Sequence, residues 1–437
     1  MTKEELSSFF PKTVFSIPSN IKWLLRALVV LGAVVFVLGL YGGHPVLAWQ
    51  ALLVSTLFFA GLAHGGVIFS VILTVTDANW GRPIKRFAEA TSAFIPVSWV
   101  LFLILFFGTD YFFEWVDKSK VMYVKEGWLN FSFFVKRNVV ILLSTGFLGL
   151  IYTYLSFKPD ILLLKKLFPA ESKSFFDVKE KHASYEEENE KIRVTSKRLA
   201  PIFGIFYSLF GSIIAFDWIM SVDQEWFSTM FGVQYMIASL LSATAFLLFI
   251  ASFLRSKGVA SEYLTIDRYH DLAKLTFAFC LLWTYLIFAQ IMVIWYANIP
   301  EETPYLILRM KSEEWGQVFW ILLTVLFFIP FWGLMSKTAC RSAWFSRLIA
   351  IDVMIGVWLE KYFLIVPSIQ ENQLSAGGHH GAAVASNLTL PGFSFNFIDL
   401  GVFLGLLALF VLSYTFFLSR VPIFPVSDKY FYSKSSH

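Results

Sequence analysis

The chain has 437 residues, of which 57% are hydrophobic, 19% aromatic and 15% charged, with a formal net charge of +4. Soluble domains run about a quarter charged, so a chain with 49 Phe against 35 basic and 31 acidic residues is excluded as a soluble globule. With two Cys, Cys280 and Cys340, and no C-x-x-C or C-x-x-C-H run, an iron–sulfur cluster or covalently attached haem is excluded as well.

Apolar runs bounded by charge, Gly or Pro predict an all-α polytopic integral membrane protein of about ten transmembrane helices. After a tail at 1–20, which lacks a signal-peptide pattern, span 1 runs from Ile21 to Tyr41 and span 2 from Val46 to Thr76, with His64 inside the run GLAHGG. Span 3, Phe87 to Phe107, carries Glu89 near its first end, and span 4, Asn138 to Phe157, carries no acid. A charged connection at 158–198 separates spans 1–4 (21–157) from spans 5–10 (199–418). Its length allows a short helix or a mobile segment. Span 5, Leu199 to Ser221, holds Asp217, and span 6 covers Phe227 to Leu254. Span 7, Leu272 to Tyr296, is led in by His270 and Asp271, with Lys274 just inside. Span 8 is Val318 to Met335. Span 9, Trp344 to Pro367, carries Asp352 and Glu360, and span 10, Phe397 to Leu418, opens with Asp399 at the outer edge, where a cap or a solvated role suffices, before the tail at 419–437.

Of the 35 basic residues, 26 lie on the side of the N-terminus, counting Lys22 and Arg26 at the start of span 1, and 8 on the opposite side. The positive-inside rule makes both termini cytoplasmic. In the outer tract from Glu371 to Ser394, His379 and His380 could bind metal but have no acidic or thiol neighbours, and read as solvated loop residues. No metal site is expected.

A charge at mid-membrane costs about 2.5–3.5 kcal/mol even on insertion-based scales, which makes each intramembrane ionisable group a functional candidate. At about 1.5 Å per residue, His64, Glu89, His270, Asp271, Lys274 and Asp352 fall in the cytoplasmic half, and Asp217, Gln290, Glu360 and Lys361 toward the outside. Two polar ends with a weakly polar middle suit proton half-channels or a quinone pocket at one end. Each residue also has a plainer reading. His270, Asp271 and Lys274 are spaced to pair with one another, Glu89 with Arg82, Lys85 or Arg86, and Asp217 to cap its helix. Asp352 lies about 12 Å inside span 9, too deep to snorkel, and calls for a partner on another helix. His64 stands beside a Gly61/Gly65 small-residue face and suits a proton carrier, a quinone-contacting donor or a packed core His. With His64 the one deep histidine, a bis-His haem has no ligand set.

The runs HDLAKLTFAFCLLWTYLIFAQIMVIWYANIPEET (His270 to Thr303) and AFDWIMSVDQEWFSTMFG (Ala215 to Gly232) resemble the NrfD or PsrC-like membrane subunits of respiratory complexes. The likeness is strongest to the second such subunit, ActF-like, of bacterial alternative complex III, the quinol:cytochrome c oxidoreductase. The resemblance implies two four-helix bundles, spans 2–5 and 6–9, flanked by spans 1 and 10. It implies a bacterial inner-membrane subunit with no cofactor of its own, a quinone or quinol as possible ligand, and haem and iron–sulfur clusters on partners. Those partners are a paralogous NrfD-like subunit, an iron–sulfur protein, multihaem and monohaem cytochromes c and a terminal oxidase, within membrane lipid and without nucleic acid. It would place Asp217, Gln290, Trp295, Tyr296 and Asn298 on a quinone-facing outer side, and His64, Glu89, Asp217, His270, Asp271, Lys274, Asp352 and Glu360 in proton transfer. A stand-alone secondary transporter and a purely structural scaffold subunit are the competing readings. Pro96, Pro201 and Pro330 do not recur at matching places in the two halves, which weighs against transport.

Overall fold

The computed structural model describes residues 17–169, 172, 175–179, 184–256, 265–336, 340–375 and 395–428. Within them the chain is helical, with no strand. Ten long helices follow in order: α1 Ser19–Tyr41, α2 Pro45–Val75, α3 Arg82–Tyr111, α4 Phe131–Leu167, α5 Tyr185–Trp218, α6 Phe231–Ser256, α7 Ile266–Ala297, α8 Trp315–Met335, α9 Ala343–Ser375 and α10 Phe397–Arg420. All but α9 are long and apolar enough, as described, to cross a membrane, and α9 packs among them over 33 residues. A further short helix, Thr303–Met310, lies between α7 and α8. We call the face where α1 begins the near face and the opposite one the far face.

Contacts sort the helices into two four-helix groups, α2–α5 and α6–α9, with α1 and α10 packed on each other and against α2. The groups meet where α6 crosses α2 and α5, and where α9 reaches α2. Accordingly the apolar windows of α2 and α6 are 83% and 78% buried, against 11% for α1, whose Trp23, Leu24 and Val30 face outward. A helix that is hydrophobic all round belongs in such a centre. Small residues set the closest approaches, as in membrane helix pairs generally. A Cβ on Gly65 would stand 2.3 Å from the Ser239 carbonyl of α6, and one on Gly32 of α1 would stand 2.7 Å from Gly405 of α10.

Two irregular turns carry prolines. Pro96 follows a 3₁₀ stretch, Ala90–Phe94, and Pro330 follows a π turn, Thr324–Phe328. A proline ring clashes with the carbonyl four residues earlier, so local rewinding there accommodates it without ending the helix. Of the two roles open to Asp399 the structure has the cap, with Asn396 and Asp399 forming a capping box.

The connection between α4 and α5 is shorter than hydropathy predicts. α4 continues through Pro159 to Leu167, and α5 begins at Tyr185. Both extensions carry charges that are buried by pairing across helices, Lys158 with Glu188 and Asp160 with Arg86, which sequence alone reads as loop. His379 and His380 lie outside the described residues.

Candidate functional site

At the near face of the first group, Glu89 is fully buried and held from several sides. It pairs with Arg86 one turn before it, accepts from Ser70 Oγ at 2.8 Å and Ser156 Oγ at 2.6 Å, and has Lys85 Nζ at 3.7 Å. The same Arg86 guanidinium pairs with Asp160 of α4, whose other oxygen accepts from the Ser427 backbone at 2.7 Å. Tyr152 closes the network, with its hydroxyl 3.1 Å from Ser70 Oγ and 2.6 Å from Thr74 Oγ1. The ion-pair reading of Glu89 therefore describes its geometry, and Asp160, 74 residues from Arg86, is a member that spacing does not reveal.

At the far face of the same group Asp217 is also fully buried. Arg137 of α4 clamps it, Nε to Oδ2 at 2.6 Å and Nη2 to Oδ1 at 2.7 Å. Asn138 and Trp128 donate at 2.6 Å and 3.1 Å, and the Arg137 guanidinium lies 4.0 Å above the Trp128 ring. Bidentate guanidinium–carboxylate pairing is the strongest ordinary arrangement for a buried acid. The four lone-pair directions of Asp217 are thus occupied by structure.

The second group differs. Glu360 of α9, again fully buried, accepts from Trp283 Nε1 of α7 at 2.8 Å and Gln234 Nε2 of α6 at 2.9 Å, and pairs with Lys361 at 2.6 Å. Gln290 of α7 donates to the Gln234 carbonyl, so the amides form a chain leading away from the carboxylate. Two turns toward the near face on the same helix, Asp352 has no ion pair or hydrogen bond among the described residues. Its Oδ2 is buried, while the residue as a whole is partly exposed. Depth in the helix calls for a cross-helix partner there, and none lies among the described residues. Between the two acids, Gly356 abuts Leu326 of the π turn, where a Cβ would lie 2.6 Å from the leucine methyl. Residues 352, 356 and 360 are spaced to share one side of α9.

The remaining candidates disperse. His64 sits alone near mid-helix, fully buried, with Nδ1 3.0 Å from the Ala60 carbonyl and the ring stacked on Phe210 at 4.1 Å. Its Nε2 has no partner among the described residues. Asp271 and Lys274 pair at 3.4 Å on the exposed near end of α7, with His270 beside them. Of the quinone-facing set, Gln290 joins the Glu360 network, whereas Trp295 and Tyr296 point outward, 72% and 85% exposed. Asn298 ends α7 in the left-handed conformation, φ 48°, and Asp217 belongs to the other helix group.

Among the described residues no three His, Cys, Asp or Glu come together to hold a metal ion, and Cys280 and Cys340 are free and buried. The helices, their length and their lipid-facing aromatics define a polytopic integral membrane protein. The sequence matches the family model described as polysulphide reductase, NrfD, over residues 39–371, and the chain belongs to that family. Members are typically the quinone-interacting membrane part of redox complexes and work with partner redox proteins such as iron–sulfur subunits. No curated protein matches the chain.

Proposed function

We propose that this chain is a haem-free membrane subunit of a quinol:cytochrome c oxidoreductase of the alternative complex III kind, ActF-like, and that protons move through its second helix group by way of Asp352 and Glu360. In this reading the chain sits in a bacterial inner membrane with its near face cytoplasmic. It carries no redox centre, and quinol oxidation with its haem and iron–sulfur clusters belongs to partner subunits.

The observation that carries the proton role is the contrast between Asp352 and the paired acids of the first helix group. Glu89 and Asp217 are each locked to a guanidinium, so moving a proton on or off them breaks a buried ion pair. Asp352 has no such partner among the described residues, and Glu360, which pairs with Lys361, is also linked through Gln234 to Gln290, a hydrogen-bonded chain directed to the far face. An intramembrane acid without a counter-ion is costly and calls for a functional reason. The orientation rests on the bias of Lys and Arg toward the near face. Gln290 is the member of the quinone-facing set that adjoins this route, so a quinone site on this chain would lie at the far end of α7.

Detergent purification of the tagged chain tests the assignment. The chain should co-migrate with c-type haem absorbance and with quinol:cytochrome c reductase activity. A colourless, solitary chain that moves a solute in vesicles would instead establish the transporter reading.

A further inference from the structure

Asp352 stands at the edge of a face that looks away from the rest of the chain. On the near half of α9, Trp344, Leu348, Ile351 and Ile355 are exposed and form one outward stripe. With about 3.6 residues per turn, Asp352 lies beside that stripe, on the side turned to α8. Two close approaches fix what α8 sets opposite it. A Cβ on Gly333 of α8 would stand 2.8 Å from Ile349, and one on Gly356 of α9 would stand 2.6 Å from Leu326. The two pairings run antiparallel, so Asp352 is level with Pro330, between Ile329 and Phe331, and none of these side chains carries a donor. One turn away on α9 itself, Leu348, Ile349, Ile355 and Gly356 carry none either.

Across the seam Phe328, Ile329 and Trp332 of α8 are exposed as well, so the carboxyl is set into a broad face of large apolar side chains. Such a face alone suits lipid. A carboxyl within it does not, because acyl chains donate no hydrogen bond and Asp352 lies about 12 Å in from Trp344, beyond the reach of a headgroup. Ionisable side chains inside membrane spans pair with one another or with other polar groups, and among the described residues of this chain Asp352 has no partner. A second copy meeting this face through its own would bring a further carboxyl to the seam, which like charge disfavours.

We propose that the α8–α9 face is the contact with a transmembrane helix of a partner membrane subunit, and that this helix brings a hydrogen-bond donor to Asp352. The inference rests on the reading of the chain as one subunit of a membrane complex and is independent of the proton route. A hydroxyl, amide or imidazole donor leaves the carboxyl free to gain and lose a proton, whereas a Lys or Arg would lock it as Arg86 locks Glu89.

Ile355→Cys, on the exposed stripe one turn from Asp352, can carry a benzophenone maleimide in native membranes, since Cys280 and Cys340 are buried. Illumination then captures whatever covers the face, and mass spectrometry identifies it. The captured segment should belong to a different membrane subunit and carry a donor within two turns of the crosslinked residue. Capture of phospholipid alone, of a second copy of this chain or of a segment without a donor, in complexes that still co-migrate with haem, overturns the interface and leaves the complex standing. A chain that purifies alone overturns both. A Lys or Arg on the captured segment supports the interface and overturns the proton route. Dicyclohexylcarbodiimide, which adds a protonated carboxyl across one of its N=C bonds, gives a second reading on the unmodified protein. Asp352 should label several-fold more slowly in the intact complex than in the full-length chain stripped of its partners. Equal rates overturn the interface.

Discussion

Lys361 and Glu360 are neighbours in sequence and partners in space: Nζ of the lysine lies 2.6 Å from Oε2 of the glutamate, and both are almost wholly buried in α9. The lysine cation also sits 4.8 Å from the Tyr235 ring centroid, and the Tyr235 hydroxyl donates to the Leu57 carbonyl of α2 at 3.0 Å. The pair therefore joins the polar core of the second helix group to the central helix of the first. Removing one member of a buried pair strands the other charge, which costs about 3–5 kcal/mol. Lys361→Met should lower the thermal midpoint of the purified protein sharply, and Lys361→Met/Glu360→Gln should recover much of the loss. A double variant no better than the single one would show that the lysine acts through something other than this carboxylate.

Arg137 and Asp217 should behave as a structural clamp. With the carboxylate oxygens occupied by Arg137, Asn138 and Trp128, Asp217→Leu should destabilise the protein by about 3 kcal/mol or more. Turnover and proton translocation per assembled complex should stay within twofold of wild type. Melting temperature and assembly yield, measured beside specific activity, separate the two effects. A stable variant with tenfold lower turnover would place Asp217 in the chemistry after all.

The α2–α6 contact depends on the absence of side chains. Gly65→Ala would drive a methyl into the Ser239 carbonyl, whereas Gly127→Ala, on the far-face connection before α4, meets nothing within 4 Å. Overpacking of this sort costs about 1–3 kcal/mol, while an exposed change stays within about 0.5 kcal/mol. Thermal unfolding in detergent should register the first and not the second. Equal midpoints would mean that the two helices separate more easily than their spacing implies.

Much of the fold was legible because a helix in lipid must satisfy its own backbone and so writes its length as an apolar run. Helix ends at the near face were the exception. Lys158, Asp160 and Glu188 look like loop charges until Arg86 and the facing helix ends are in place to pair them. The sites divide in the same way. Arg86 beside Glu89 could be read from one-turn spacing, and the Gly61/Gly65 face from its period. Arg137, 80 residues from Asp217, could not. Nor could the lack of a partner for Asp352 among the described residues, which depends on which side chains the facing helices bring to it. The Thr303–Met310 helix, with Tyr305 and Arg309, was missed altogether, because eight residues of mixed character carry little periodic signal.

The proton role of the second helix group is tested most directly by the ratio of protons moved to electrons transferred when the assembled complex, carrying Asp352→Asn, turns over quinol in sealed vesicles. We expect electron transfer to stay within about twofold of wild type, because in this account the redox centres lie on partner subunits and Asp352 carries protons alone, while the proton-to-electron ratio falls. An unchanged ratio, or a loss of both activities in equal measure, would contradict a proton route through this carboxylate.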